Sequence, residues 1–282
     1  IHEIEEINKM RALIKIIKEQ VHSFYLILRL AKFQLRIDNQ NNYLGFAWEI
    51  LNPAIQMAMY WFVFGFAMDR GVMENEYGKE VDYVYWMLAG ISMWFFINKA
   101  ILNGSKSIYQ KYNMVAKMNF PLSVLPSYII MGKYYGHLIL LGAIMVIFWI
   151  AGYYPSIYYI QLIYFVALSY ILAFSITLVT STLTVVVRDI QMLIQSLLQA
   201  MFFLSPILWD RSSNMPDWIH NILMLNPFYY LANGYRASLL YNDWYIVSHW
   251  ELTLYNLGLI FVLLLIGSTA HFKFRNRFSD FI

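Results

Sequence analysis

The sequence predicts an all-α membrane protein with six transmembrane helices, an N-terminal amphipathic interface helix and a re-entrant helical hairpin between spans five and six. The 54 residues between Lys133 and Arg188 contain no Asp, Glu, Lys or Arg. Hydrophobic residues make up 60% of the chain and charged residues only 13%, about half the charged share of soluble domains. Because apolar blocks recur along all 282 residues, we expect a single membrane domain, 1–282.

The apolar blocks have the length of membrane spans. A bilayer core about 30 Å thick needs roughly 20 residues of helix. The six-span region therefore covers 43–272, with 273–282 as a tail. The predicted spans are Tyr43–Met68, Tyr83–Asn103, Leu125–Ile150, Ile157–Val187, Ile190–Trp209 and Leu252–Phe272.

The distribution of basic residues predicts the orientation. With both termini in the cytoplasm, only Arg70, Lys79, Arg211 and Arg236 of the 20 Lys and Arg residues lie outside. The loop 69–82 is acidic, so the opposite orientation would reverse this bias. Cytoplasmic loops of membrane proteins carry an excess of Lys and Arg, and we therefore expect both termini in the cytoplasm.

Residues 9–37 predict an amphipathic helix. Apolar residues such as Met10, Leu13 and Ile17 recur every three to four positions, and basic residues such as Arg29 and Arg36 fill the opposing face. We expect this helix to lie in the membrane surface. It serves either as a lipid anchor or as a lever that contacts a cytoplasmic partner.

Residues 105–120 predict a short cytoplasmic helix. The segment 104–124 carries three lysines and no acid, and Pro121 and Pro126 separate it from the next helix. Orientation bias alone explains these lysines as well as a docking helix for a soluble partner does.

Residues 211–247 are too polar and too short for two spans, and they predict a pair of half-length helices. Ser213 and Asn214 precede Pro216, and Asn226 precedes Pro227, as caps before a proline in the first helical turn. Non-helical backbone at membrane depth requires burial in protein or a watery cavity. A re-entrant hairpin would thus imply a pathway nearby, whereas the alternative is two helices on the outer surface.

Catalytic motifs are not recognisable. The chain has no cysteine, no glycine-rich phosphate loop and no HExxH spacing. We therefore expect no catalytic residue, cofactor or metal in this chain, and no nucleic-acid partner. Within the spans, Glu49 and Lys99 are expected to snorkel to the interface. Lys133 and His137 are expected to lie between helices or to face a conduit.

Four stretches stand out along the chain. They are Tyr43–Trp48 with Leu51-Asn52-Pro53, Lys117–Pro121 with Leu125-Pro126, Arg188-Asp189-Ile190 with Leu204–Ile207, and Leu225-Asn226-Pro227 with Tyr235-Arg236 and Leu239-Leu240. Together they resemble the permease subunits of ABC-2 type exporters for polysaccharides and teichoic acids. The similarity is nearest to the wall teichoic acid export permeases of Gram-positive bacteria, and it covers nearly the whole chain.

The resemblance implies a homodimer in a bacterial cytoplasmic membrane, with two copies of a separate ATPase subunit that binds ATP and Mg²⁺. The 9–37 helix would be the interface helix, 105–120 the coupling helix and 211–247 the external gate. Residues assigned to ATPase coupling are Lys106, Lys111, Lys117, Phe120, Pro121, Arg29, Lys32 and Arg36. Those assigned to the substrate path are Tyr43, Trp48, Glu49, Gln56, Gln195 and Gln199. Those assigned to the gate are Pro216, Trp218, Pro227 and Arg236.

The resemblance further implies ATP-driven export of undecaprenyl-diphosphate-linked wall teichoic acid. The main alternative is export of an O-antigen or capsular polysaccharide. A membrane-embedded glycosyl or acyl transferase and a proton-driven transporter are further alternatives, but the sequence shows neither a convergent catalytic set nor a repeat.

Overall fold

A computed structural model of the chain describes residues 2–74, 78–115, 120–210, 215–275 and 278. This part of the chain is mostly helical, as the hydrophobic pattern predicts. The helices are α1 (His2–His22), α2 (Phe24–Asn39), α3 (Gly45–Ala67), α4 (Tyr83–Ser105), α5 (Ser107–Val115), α6 (Val124–Ile150), α7 (Tyr159–Val186), α8 (Ile190–Leu204), α9 (Asp217–Met224), α10 (Pro227–Arg236), α11 (Tyr245–Ser248) and α12 (Trp250–Arg275).

Five of these helices, within the described residues, are long and apolar enough to cross a membrane: α3, α4, α6, α7 and α12. The predicted count of six is therefore not confirmed. The remaining predicted span, 190–209, contains α8, an apolar helix of 15 residues. It is shorter than predicted because Ser205, which precedes a proline, adopts an extended conformation. The predicted tail also begins too early, because α12 continues to Arg275.

The predicted interface helix is divided in two. The break lies at Ser23, whose backbone (φ −95°, ψ 10°) departs from helical geometry. The two halves pack on different partners, because α1 contacts α12 whereas α2 contacts α6. Gln20, near the end of α1, donates to the Ser123 carbonyl just before α6, and Lys133 of α6 donates to Asp38 of α2. The end of α1 therefore lies at the start of α6, and α2 runs alongside the first half of α6.

A small antiparallel hairpin lies between α3 and α4, and sequence analysis missed it. It comprises β1 (Val72–Glu74) and β2 (Glu80–Asp82). Lys79 connects the hairpin to the segment after α10, because its Nζ donates to the Leu240 carbonyl at 2.6 Å. Burial lowers the pKa of Lys79 below its usual value.

The core is centred on α4. Among the most apolar 18 residues of each candidate span, 78% are buried in α4, against 56% in α7 and 11% in α3. Helices α6, α7 and α10 pack around α4. The fold therefore buries most of α4 and leaves α3 on one side of the bundle with most of its apolar surface uncovered.

Candidate functional site

A cavity of ≈ 300 Å³ lies between α3, α4 and α8. Gln195 and Gln199 project into it from one face of α8, because four residues make about one helical turn. Gln56 of α3 and Asn98 of α4 add two further amides. The side-chain oxygen of Asn98 is buried and has no hydrogen-bond partner in the described residues. The cavity therefore presents amide groups that can donate and accept hydrogen bonds.

Aromatic rings form the other wall of this cavity. Phe202 lies at the centre of this aromatic wall. The centroid of its ring is 5.5 Å from the ring centroids of Tyr60 and Trp94 and 5.3 Å from that of Phe203. These separations are typical of packed aromatic pairs. Flat apolar rings beside amides suit a molecule that has both hydroxyl groups and C–H faces, such as a sugar.

The structure divides the predicted substrate-path residues among three places. Gln56, Gln195 and Gln199 meet in the amide-lined cavity. Trp48 and Glu49 instead line a separate polar cavity. The side chain of Tyr43 is fully exposed in the turn between α2 and α3 and lines neither cavity. Within a single chain, these six residues therefore do not form one continuous path.

The polar cavity, of ≈ 420 Å³, lies between α2, α3, α4 and α6. Two ion pairs beside it connect these helices. Lys133 lies 2.6 Å from Asp38, and Lys99 lies 3.6 Å from Glu49. Asn39 donates from Nδ2 to Glu49 at 3.4 Å. Glu49 and Lys99 therefore form a pair, whereas separate snorkelling was expected.

Gly136 and His137, neighbours on α6, show how α6 packs beside the polar cavity. A Cβ at Gly136 would lie 2.8 Å from a Glu49 oxygen, so glycine allows the carboxylate to approach α6 closely. His137 is buried, as predicted, but faces away from the ion pairs. Its Nε2 lies 3.0 Å from the hydroxyl oxygen of Tyr235, which is also 3.4 Å from Ser169 Oγ. Lys133 and His137 thus belong to different environments.

The predicted coupling segment 105–120 contains α5. Helix α4 continues through Ser105, the chain turns at Lys106, and α5 covers Ser107–Val115. Lys117 lies outside the described residues. Phe120 and Pro121 follow in non-helical backbone. Lys106, in the turn before α5, and Lys111, within α5, are half-buried and lie at the edge of the bundle.

Helix α5 is attached to the start of α8. Ile108 and Val115 are buried in a cluster with residues of α2, α6 and α7. The Arg188 guanidinium lies 4.7 Å from the centroid of the Tyr109 ring, a cation–π distance. Ser105 also donates to Gln191 at 2.7 Å. Asp189 precedes α8 and makes no side-chain cap hydrogen bond, whereas Arg188 stacks on α5.

The predicted pair of half-length helices is present as α9 and α10. Asn226 caps α10 as predicted, accepting a hydrogen bond from the Phe228 amide, with Pro227 in the first turn. The prediction that Pro216 lies in the first turn of a helix is wrong, because Pro216 is the N-cap residue that precedes α9. Its predicted caps Ser213 and Asn214 lie outside the described residues.

The two short helices differ in burial. No residue of α9 is buried, and its Trp218 is 64% exposed. Helix α10 packs between α4, α7 and α12, with eight of its ten residues buried. A Cβ at Gly234 would come within 2.2 Å of Phe165, so only glycine allows this contact between α10 and α7.

Arg236 was assigned to the external gate, and the structure gives it extensive internal contacts. It is 1% exposed. Nε donates to the Trp86 carbonyl at 3.2 Å, Nη2 to the Ile207 carbonyl at 3.1 Å and Nη1 to Asn233 at 2.9 Å. The guanidinium carbon lies 3.4 Å from the Trp86 ring centroid. Arg236 therefore ties α10 to α4 and to the irregular segment after α8.

One junction escaped sequence analysis. Glu19 of α1 accepts hydrogen bonds from Ser123 and from Arg275, the latter at 2.9 Å. These residues belong to α1, the start of α6 and the end of α12. Because they are more than 100 positions apart in sequence, no local pattern could have indicated their contact.

Comparison with known proteins identifies the family. Residues 25–240 match the model of the ABC-2 type transporter family. An O-antigen export system permease protein of Myxococcus xanthus is 24% identical over 226 residues, covering 80% of this chain and 84% of that protein. An O-antigen export system permease protein of Klebsiella pneumoniae is 24% identical over 260 residues, covering 92% of this chain and 95% of that protein. The chain therefore belongs to the ABC-2 type transporter family, whose members are membrane subunits of transporters that partner an ABC ATPase subunit.

Proposed function

We propose that this chain is the permease subunit of an ATP-driven exporter that moves a lipid-linked polysaccharide across the cytoplasmic membrane of a bacterium. The observation that carries the proposal is the cavity in which Gln56, Gln195 and Gln199 meet aromatic rings. The printed names of the two relatives, which match most of the chain, favour an O-antigen-like polysaccharide over wall teichoic acid.

The substrate path lies between two copies of the chain. In this arrangement α8, with the residues after Ser205, serves as the fifth of six spans, and both termini lie in the cytoplasm. The exposed apolar face of α3 supports a second copy beside it, because α3 is the least buried candidate span. Gln195 and Gln199 are exposed on α8 in the single chain, so the cavity opens towards the proposed partner copy.

ATP and Mg²⁺ are bound by the partner ATPase subunit, and α5 docks on it. Lys106 and Lys111 at the edge of the bundle support this role, and Phe120, Pro121 and Arg29 of α2 belong to the same docking surface. Lys117 is assigned to this surface from the sequence and lies outside the described residues. Contacts of α5 with α4, α6 and α7 provide a route by which motion of the ATPase could reach three spans. Lys32 and Arg36, assigned to the same surface from sequence, line a groove that is considered below.

Helices α9 and α10 form the external gate as a re-entrant hairpin. The burial of α10 between three long helices supports insertion into the bundle, because a helix resting on the outer surface would leave one face uncovered. In this arrangement Arg236 and Pro227 fix the inserted helix. Trp218 and Pro216 belong to the exposed α9, which is the half that moves.

The decisive experiment replaces the cavity amides. We expect Gln56→Ala combined with Gln195→Ala and Gln199→Ala to abolish polysaccharide display in cells that also express the ATPase subunit. Lost amides remove hydrogen bonds of about 0.5–1.5 kcal/mol each, so the triple variant loses more than any single one. The matched control is Leu197→Ala, an exposed α8 residue outside the cavity. Normal polysaccharide display in the triple variant would refute the proposal. So would a wild-type chain that restores export of teichoic acid but not of a polysaccharide.

A further inference from the structure

We infer that the groove between α2 and α6 binds an anionic membrane phospholipid, which holds the N-terminal helices against the bundle. This groove of ≈ 660 Å³ is separate from the amide-lined cavity. The inference does not depend on which polymer is exported.

The walls of the groove are apolar. Leu35 of α2, Phe46 at the start of α3, and Leu138 and Ile139 of α6 line it. At Gly45 the backbone has φ +49°, and a Cβ there would meet nothing within 4 Å. This turn therefore leaves the end of the groove open. An open apolar groove on a helix that can span a membrane accepts an acyl chain, because hydrocarbon packs against hydrocarbon there by van der Waals contact.

Two cations stand at the edge of this apolar surface. Lys32 and Arg36 are one helical turn apart on α2, and both are exposed. In the described part of the chain, neither forms an ion pair, whereas the adjacent Asp38 is paired with Lys133. Arginine recognises phosphate with two parallel hydrogen bonds, and lysine adds a point charge. The combination fits a phosphate headgroup above an acyl chain.

The position of the apolar wall favours a lipid over the ATPase subunit as the occupant. Leu138 and Ile139 lie within the candidate span Val124–Ile150. A soluble partner could place an acidic side chain beside Lys32 and Arg36, but it could not cover apolar residues at this position along a membrane helix. A phospholipid satisfies both parts of the groove at once.

A second groove has the same construction. It lies between α1 and α12, measures ≈ 680 Å³, and combines Lys9 and Lys273 with the apolar residues Val262, Leu265 and Ile266. Each N-terminal helix thus places a cation beside an apolar wall on a candidate span. This repetition supports a common use of α1 and α2 as lipid-held helices.

The test measures lipid retained by the purified complex of this chain with its ATPase subunit. The complex is incubated with micelles that contain equal parts of phosphatidylglycerol and phosphatidylcholine, and bound lipid is counted by native mass spectrometry. We expect Lys32→Gln with Arg36→Gln to weaken phosphatidylglycerol retention about 25-fold, about fivefold per cation. The control is Lys18→Gln, which removes one charge from an exposed position of α1 outside both grooves and leaves retention unchanged.

A second variant fills the groove without altering charge. Leu138→Trp is expected to displace phosphatidylglycerol while the ATPase subunit remains bound. Undiminished phosphatidylglycerol in both variants would overturn the inference. So would loss of the ATPase subunit with the lipid retained, which would assign Lys32 and Arg36 to docking. Recovery of a polyprenyl carrier lipid from this groove would also overturn it, and would assign the groove to the cargo.

Discussion

The contacts of Arg236, a residue assigned to the gate, indicate that it also stabilises the fold. Its guanidinium satisfies two backbone carbonyls and Asn233 while it stacks on Trp86. Hydrogen bonds from charged donors contribute about 1.5–3 kcal/mol each. We expect Arg236→Gln to lower the melting temperature of the purified protein by several degrees, as measured by intrinsic tryptophan fluorescence. Arg236→Lys should not restore it, because lysine lacks the planar fork.

The comparison variant is Arg70→Gln. Arg70 donates to the Leu208 carbonyl at 3.2 Å in the same irregular segment, but it is only half-buried. Its loss should lower the melting temperature less than the loss of Arg236. Unchanged stability of Arg236→Gln with failed export would instead indicate that this guanidinium contacts the cargo.

Individual site residues were predictable only where neighbours in sequence share a face. Gln195 and Gln199, four positions apart on one helix, meet in a cavity as a helical repeat predicts. Glu49 and Lys99, or Asp38 and Lys133, pair across 50 or more positions, and the packing of α2 and α3 on the bundle determines these contacts. Sequence analysis therefore identified charged residues in the spans without their partners.

At the scale of elements, α5 is the helix whose assigned role has the sharpest consequence. We expect Lys111→Glu to reduce co-purification of the ATPase subunit, because it replaces attraction by repulsion on the proposed docking surface. ATPase stimulation should fall in parallel. The measurement is the ratio of the two subunits after affinity purification in detergent.

A matched charge reversal lies elsewhere. Lys273→Glu changes an exposed lysine near the end of α12, outside the docking surface, and should leave the subunit ratio unchanged. Equal loss of the ATPase subunit in both variants would indicate a general electrostatic effect. No loss in Lys111→Glu would remove α5 from the docking surface.

Helix boundaries were predicted well where apolar length alone determines them. Span one was predicted as 43–68, and α3 covers Gly45–Ala67. Span three was predicted as 125–150, and α6 covers Val124–Ile150. The failures lie at Ser23 and Ser205, where the hydrophobic pattern continues but the backbone changes direction. Tertiary contacts of α1 and α2 with different helices, and a proline after Ser205, override the local pattern there.

The whole molecule is unevenly covered, and this asymmetry indicates what is missing from the single chain. In α3, Ile55, Met59, Phe62 and Phe66 form an exposed apolar stripe at three- to four-residue steps. Gln56, on the same helix, borders a cavity that opens beyond the chain. Lipid alone would cover the stripe but would place the amides beside hydrocarbon, where unpaired polar groups are costly. The proposed second copy of the chain would cover both.

The absence of cysteine from the sequence makes this arrangement testable by cross-linking. We expect Met59→Cys, placed in the exposed stripe of α3, to form a disulfide-linked dimer on mild oxidation in membranes, at twice the 33.4 kDa of the chain. Disulfide formation requires Cα atoms within about 7 Å, so only a residue near the two-fold axis qualifies. Ile163→Cys, 72% exposed on α7, should remain monomeric. If both variants cross-link equally, the contact reflects random collision; if neither does, the α3 stripe faces lipid and the conduit lies within one chain.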